Sequence, residues 1–156
     1  MPDSDKTKGA KAVSVNRKAL YDYEILDRVE AGIVLTGSEI KSIRGGRANI
    51  RDAYARASGG ELFLVGAHVA LYPQAGIYNH DPARPRKLLL HKDQLAEFIG
   101  MAAQKGLTIV PLRLYIRNHV AKVELGVARG RRQYDKRKVI AQRDSEREMQ
   151  RAIRRG

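Results

Sequence analysis

The chain has 156 residues, and its 30 lysines and arginines outnumber 17 aspartates and glutamates, for a formal net charge of +13. This length suits one domain with appendages, and the charge favours nucleic acid as a partner over an anionic membrane surface. The absence of cysteine excludes disulfides and thiolate metal sites, and no apolar run approaches the roughly 20 residues that cross a bilayer. The polar N-terminus lacks a signal-peptide pattern, so we expect a soluble, cytoplasmic protein.

The first part of the chain predicts a flexible segment followed by strands. Residues 1–15 are expected to be flexible, and residues 16–128 are expected to form a folded domain. Apolar residues alternate with polar ones over 21–30, which predicts a β-strand. A second apolar strand is expected over 31–35, after a bend at Gly32.

A short helix and a hairpin come next. Thr36 and Glu39 are spaced as a capping box, which predicts a helix that ends at the glycine pair 45–46. Two apolar stretches, 54–57 and 61–71, flank a serine-glycine-glycine turn and predict a β-hairpin.

The second half of the domain predicts a loop, one longer helix and two long strands. The loop covers 73–87, and an apolar stripe at helical spacing predicts a helix over 92–105 that Gly106 ends. The strands are expected over 107–117 and 120–128, joined by a tight turn. About six antiparallel strands with short inserted helices predict a mainly β fold, a small oligonucleotide-binding-like barrel that avoids exposed edges by closing.

One strand has a pattern that suits RNA. On the strand 107–117, Arg113, Tyr115 and Arg117 alternate with apolar residues, so they are predicted to share one face. An exposed face of this kind could stack bases and bind phosphates, although an ordinary solvated sheet face is the alternative. Pro111 predicts an edge position or a β-bulge in this strand.

The C-terminal tail, residues 129–156, has eleven basic residues against four acidic ones. Arg143, Arg147, Arg151 and Arg155 recur every four residues, so they would lie along one face of a helix. Like charges at this spacing repel. We therefore expect a tail that is disordered in isolation and becomes helical when phosphates remove the repulsion. A plain solubilising tail is the alternative.

The sequence offers little support for catalysis. None of the four histidines has the spacing of a zinc motif. His80 beside Asp81, and His91 near Asp93, could be ligands or an acid-base pair, but they fall where a loop and a helix start are expected. The carboxylates show no nuclease spacing. We expect a protein that is not an enzyme and has no metal or cofactor.

Seven stretches of the chain together resemble small protein B, the family of bacterial SsrA-binding proteins. In order along the sequence they are 16–19, 30–44, 49–52, 80–82, 84–90, 106–112 and 128–137. The resemblance implies a barrel that binds the tRNA-like domain of transfer-messenger RNA in place of an anticodon arm. It implies delivery of that RNA, with elongation factor Tu and GTP, to stalled ribosomes for trans-translation. The tail would enter the vacant mRNA channel as a helix.

The resemblance also implies which residues bind RNA. In the barrel these are Asn16, Arg17, Lys18, Glu30, Lys41, Arg44, Asn49, Arg84, Arg86, Lys87 and Leu89. In the tail, ribosome binding is implied for Gly130, Arg131, Arg132, Tyr134, Asp135, Lys136 and Arg137, and the helical spacing adds Arg143, Arg147 and Arg151.

Several of these residues have a specific expected role or a structural alternative. Glu30 would accept hydrogen bonds from base or ribose donors, and Glu39 could do so or cap its helix. Leu89 could pack on a base or be buried in the core. Gly130 would let the chain turn. Tyr134 would stack on a decoding-centre base at a position where many family members have His.

Two other functions compete with this hypothesis. One is a structural RNA-binding module, such as an ordinary ribosomal protein, which would bind RNA constitutively and would not need residues 130–137. The other is a nuclease or RNA-modifying enzyme that depends on His80 or His91. We expect a monomer with three parts: the flexible segment 1–15, the barrel 16–128 and the tail 129–156.

Overall fold

A computed structural model of the chain describes residues 11–130 and Arg147. The strands are β1 Lys11–Val15, β2 Tyr23–Ile33, β3 Ala48–Asn49, β4 Tyr54–Ser58, β5 Glu61–Val65, β6 His68–Val69, β7 Arg86–Leu89, β8 Leu107–Arg117 and β9 Val120–Gly130. The helices are α1 Arg17–Asp22, α2 Gly37–Arg44, α3 Lys92–Ala102 and a 3-10 helix Pro73–Tyr78.

Six antiparallel strands form a closed ring. Their order is β8-β4-β5-β7-β2-β9, and β9 pairs with β8 to close it. β1 adds to the stretch of β8 beyond its contact with β4, and β3 pairs separately with β6. Closure gives each strand of the ring a hydrogen-bonded neighbour on both sides. The predicted mainly β fold, a barrel of about six strands with short helices, is confirmed.

The core lies inside this ring. Leu62, Leu64, Ile109, Leu125 and Val127 come from three different strands, β5, β8 and β9, and are almost completely buried. α3 packs on the ring through Phe98, which belongs to the same cluster. Within the described residues no helix is both long and apolar enough to cross a membrane.

The hairpin of β8 and β9 follows its sequence signals closely. Asn118 and His119 both have positive φ values, 52° and 65°, as a tight two-residue turn between twisted strands requires. The register shifts between Pro111 and Arg113, so the predicted irregularity at Pro111 is a bulge. Proline has no N–H for the ladder, which is why the bulge falls there.

Two predictions near the N-terminus are corrected. Residues 11–15 form β1, whose backbone pairs with residues 113–116 of β8, so this part of the expected flexible segment is a strand. Residues 21–22, expected to begin a strand, are instead the end of α1, which the Asn16 side chain caps by accepting a hydrogen bond from the Ala19 N–H.

Three predicted boundaries also change. β2 continues through Gly32 to Ile33 as one strand, with no break there. The stretch 61–71 divides into β5 and β6 at Gly66, whose φ is +83°. The predicted helix over 92–105 ends at Ala102.

Gly66 provides a test of the turn that separates β5 from β6. A Cβ atom at Gly66 would lie 3.0 Å from the Asp52 carbonyl oxygen, in addition to the unfavourable φ. We expect Gly66→Ala to lower the free energy of unfolding by about 2–3 kcal/mol, measured by urea denaturation. Gly60→Ala is the control, because φ there is +78° but a Cβ would meet nothing within 4 Å. Equal losses for the two variants would show that the backbone contact adds nothing.

Candidate nucleic-acid interface

An open hollow beside α1 brings together three of the residues predicted to bind RNA. We name it the helix hollow; it is lined by Val15, Arg17, Lys18, Asn49 and Arg51. The Asn49 Oδ1 atom accepts a hydrogen bond of 2.8 Å from the Arg51 N–H, which fixes the two residues relative to each other. Arg51 was not predicted, because nothing in the local sequence shows that residues 49–51 lie beside α1.

Asn16 lies next to the helix hollow in the chain but is not one of its lining residues. Its side chain is 1 % exposed. Its Nδ2 atom donates to the carbonyl oxygens of Pro111 at 2.8 Å and Ile50 at 3.2 Å, while its Oδ1 caps α1. In the free protein the Asn16 side chain is therefore occupied by the fold, and its expected contact with RNA stays a prediction. Asn16 fastens α1 to β8 and to the segment that carries Asn49.

A second hollow contains Glu30 and Leu89. We name it the carboxylate hollow; it is lined by Glu30, Gly32, Leu89, Leu90, His91, Gln94 and Lys122. Leu89 is 50 % exposed, so of its two expected roles the buried one is excluded. Lys122 was not predicted, and it lies here because it is the partner of Gly32 in the ladder of β2 and β9.

The Glu30 carboxylate is held by two residues of β8. The Tyr115 hydroxyl donates to Oε2, and Arg117 donates to Oε1 at 2.6 Å. Burial, together with the neighbouring Glu30 carboxylate, raises the pKa of Tyr115 well above its usual range, so the hydroxyl stays a donor.

This arrangement corrects the predicted exposed stripe on β8. Tyr115 is 2 % exposed and cannot stack on a base. Tyr115 and Arg117 alternate with apolar residues because both donate to the carboxylate of Glu30, and Arg117 also keeps 29 % of its side chain exposed. These two residues position Glu30 in the carboxylate hollow.

Three further predicted cations are exposed or half-exposed. The Lys41 Nζ atom lies 5.4 Å from the centre of the Tyr72 ring. The Arg44 guanidinium donates to the His119 carbonyl oxygen at 3.4 Å, and Lys87 pairs with Glu61 at 3.6 Å. Exposed contacts of this kind contribute little to stability, so these cations can exchange their partners for phosphates at low cost.

Arg86, by contrast, is fully buried and pairs with Glu39. It also donates to the carbonyl oxygens of Ala67 and Pro82, each at 3.1 Å. The expectation that Arg86 contacts RNA is corrected, because its guanidinium is occupied inside the fold. Arg84 donates to the other Glu39 oxygen at 2.5 Å and remains one-third exposed.

Glu39 combines this ion pair with the predicted capping box, which is confirmed. Burial alone would raise the pKa of its carboxyl group. Hydrogen bonds from Arg84, the Thr36 N–H and Arg86 outweigh burial and lower the pKa to about 2. Glu39 is therefore charged at neutral pH, and it is a structural residue that joins the start of α2 to β7.

His80 also has a structural environment. Its Nε2 atom lies 3.0 Å from the Val69 carbonyl oxygen, to which it donates, and its Nδ1 lies 2.8 Å from the Ser38 hydroxyl. Both ring nitrogens are thus occupied by the protein, which leaves none for a metal or a substrate. In the part of the chain that the structure describes, no cluster of three or more histidines and carboxylates could hold a metal ion.

The predicted tail residues lie almost entirely outside the described residues. Gly130 is the last residue of β9, and Arg147 is helical and exposed. The remaining predicted tail residues outside the described part are Arg131, Arg132, Tyr134, Asp135, Lys136, Arg137, Arg143 and Arg151.

Comparison with known proteins places these features in one family. The family model described as SmpB protein matches residues 13–155. An SsrA-binding protein of Chloroflexus aggregans is 54 % identical over 151 residues, which are 96 % of each chain. One of Shouchella clausii is 53 % identical over 148 residues, 95 % of each chain.

A solved structure agrees in fold and in sequence. It is described as "tmRNA-SmpB: a journey to the center of the bacterial ribosome", and its chain is 45 % identical to this one. The two structures align with a TM-score of 0.65 over 81 % of this chain and 92 % of the other. With matches that run through nearly its whole length, the chain belongs to the SmpB family of SsrA-binding proteins.

Proposed function

We propose that the protein is the RNA-binding factor of trans-translation. It binds the tRNA-like domain of transfer-messenger RNA and delivers that RNA to stalled ribosomes, which leads to tagging of the nascent peptide and ribosome rescue. Its own role is binding and not catalysis. Family membership over residues 13–155 is the observation that carries this proposal.

The barrel supports the proposal with two kinds of RNA contact. The helix hollow presents Arg17, Lys18 and Arg51 for backbone phosphates. The carboxylate hollow combines the exposed Leu89 side chain, the Glu30 carboxylate held by Arg117, and the Lys122 cation. Leu89 could pack on the face of a base, Glu30 could accept hydrogen bonds from the nucleotide, and Lys122 could bind its phosphate. Phosphate contacts alone cannot select one RNA, so the carboxylate hollow would supply the selectivity.

The tail would act on the ribosome. Residues 130–137 would occupy the decoding centre, with Tyr134 stacked on a base, and the arginine series at 143, 147 and 151 would line a helix in the empty mRNA channel. Elongation factor Tu with GTP would accompany the complex. The protein would work as a cytoplasmic monomer without a cofactor.

The test is binding of the full-length protein to the tRNA-like domain of transfer-messenger RNA, with an ordinary tRNA of equal length as competitor, across a salt series. We expect a preference for the tRNA-like domain that survives moderate salt. Affinities for the two RNAs that are equal and fall together as salt rises would show that net charge alone drives binding. An ordinary structural RNA-binding module would then be the better description.

Arg17 and Arg51 allow a sharper test of the helix hollow. We expect Arg17→Ala with Arg51→Ala to weaken binding to the tRNA-like domain and to reduce the dependence of log affinity on log salt by about two. The measurement is a filter-binding titration at several salt concentrations. Arg56→Ala is the control, because Arg56 is an exposed arginine of β4 that lines neither hollow. An equal effect of the control would mean that the arginines act through total charge and not through the helix hollow.

A further inference from the structure

A short loop beside α2 is closed at its base by side-chain hydrogen bonds, yet it exposes large side chains. The loop contains the 3-10 helix Pro73–Tyr78, and Asn79 closes its neck. The Asn79 side chain accepts a hydrogen bond of 3.0 Å from the Tyr72 N–H and donates one of 2.7 Å to the Tyr72 carbonyl oxygen. At the tip, Ile77 is 91 % exposed and Tyr78 is 82 % exposed.

Helix α2, which faces this loop, is hydrogen-bonded to the residues on either side of it. The Ser42 hydroxyl of α2 donates to the Ala70 carbonyl oxygen at 2.6 Å, and Ser38 is bonded to His80. These buried contacts set the distance between α2 and the loop. Because its side chain stays exposed, Tyr78 contributes little to the stability of the fold. Its exposure therefore suits a contact with a partner.

Between α2 and the loop lies a third hollow, which we name the tyrosine pocket. It is lined by Ser38, Lys41, Tyr72, Gln74 and Tyr78, with small residues between them. Lys41 lies over the Tyr72 ring, so the Tyr78 ring is the one available for stacking. None of the lining residues is acidic, and the pocket thus offers an aromatic face and a cation to an anionic partner with a flat ring.

We infer that the tyrosine pocket takes one unpaired nucleotide of transfer-messenger RNA, with the base stacked on Tyr78 and its phosphate at Lys41. This inference rests on the proposed function, since it adds a contact to the same RNA. The tyrosine pocket shares no lining residue with the helix hollow or the carboxylate hollow. The nucleotide would therefore be a separate point of attachment that no residue of those two hollows supplies.

Fluorescence gives a direct test, because the chain has no tryptophan. Tyr78→Trp keeps a ring that stacks, and we expect its emission to be quenched saturably when the tRNA-like domain of transfer-messenger RNA is added. Ile77→Trp is the matched control: it lies next to Tyr78 and is more exposed, but it does not line the pocket. Its emission is expected to change far less. In filter binding to the same RNA, Tyr78→Ala should weaken the affinity roughly 5- to 150-fold, and Tyr78→Phe should not.

The outcomes separate this inference from the proposed function. Intact binding without quenching at position 78, or equal quenching at positions 77 and 78, overturns the tyrosine pocket but leaves the proposed function standing. A response at position 78 only after ribosomes or another protein are added assigns the loop to a different partner and also overturns the inference. If the unaltered protein shows no preference for the tRNA-like domain, the proposed function itself fails.

Discussion

A chain that ends at Arg129 is expected to bind the tRNA-like domain of transfer-messenger RNA almost as well as the full-length protein, but to support no tagging on stalled ribosomes. The strand pairs that close the barrel, up to Leu107 with Arg129, remain in this truncated chain. The residues of the helix hollow and the carboxylate hollow lie within 15–122 and are also unchanged. The truncated chain loses the residues proposed to occupy the decoding centre and the mRNA channel, and with Gly130 it loses one strand pair, that with Tyr23.

The measurements are filter binding at moderate salt and tagging in a translation system that is programmed with a message lacking a stop codon. A full-length variant with residues 131–156 in scrambled order is the matched control, since it keeps the charge of the tail and removes both the order of residues 131–137 and the four-residue arginine spacing. We expect the scrambled tail to fail in tagging as well. Tagging by the scrambled variant would show that the positive charge of the tail is sufficient and that its residue order is not required. Loss of RNA affinity on truncation would contradict the separation of barrel and tail.

Features carried by nearby residues could be predicted from the sequence. The capping box needs only Thr36 and Glu39, three positions apart, and the turn between β8 and β9 needs only the Asn118-His119 pair. The bulge at Pro111 follows from the missing proline N–H. Each of these signals acts over a few residues, so the fold around it cannot easily override it.

Features that depend on distant partners could not be predicted in the same way. Arg86 stands among basic residues in the sequence and resembles a surface cation, but its partner Glu39 is 47 positions away. β1 forms because residues 113–116 offer it a free edge. Lys122 and Arg51 enter their hollows through strand pairing and chain packing. The resemblance to a family could not supply these features. It implies which positions have a role, but it does not show which side chains are buried.

The ion pair of Glu39 and Arg86 carries the second large expected effect. Glu39→Gln would leave the buried Arg86 guanidinium without a charged partner, which typically costs about 3–5 kcal/mol. A loss of this size is a large part of the roughly 5–15 kcal/mol by which small domains are stable. We therefore expect a clearly lower urea midpoint, monitored by far-ultraviolet circular dichroism. The effect should appear as lost stability and not as a specific loss of RNA contacts.

The dependence of stability on pH gives this prediction a second, independent measurement. The pKa of Glu39 falls from 4.5 to about 2 on folding, so its contribution is fully present above pH 4.5 and is lost as pH falls towards 2. Glu39→Gln should remove this part of the acid-induced loss, which amounts to about 3 kcal/mol. Glu24→Gln is the control, because its pair with Arg129 is about half exposed and should be worth about 0–1 kcal/mol. If Glu39→Gln costs no more than Glu24→Gln, or keeps the full acid dependence, the buried pair is not what joins α2 to β7.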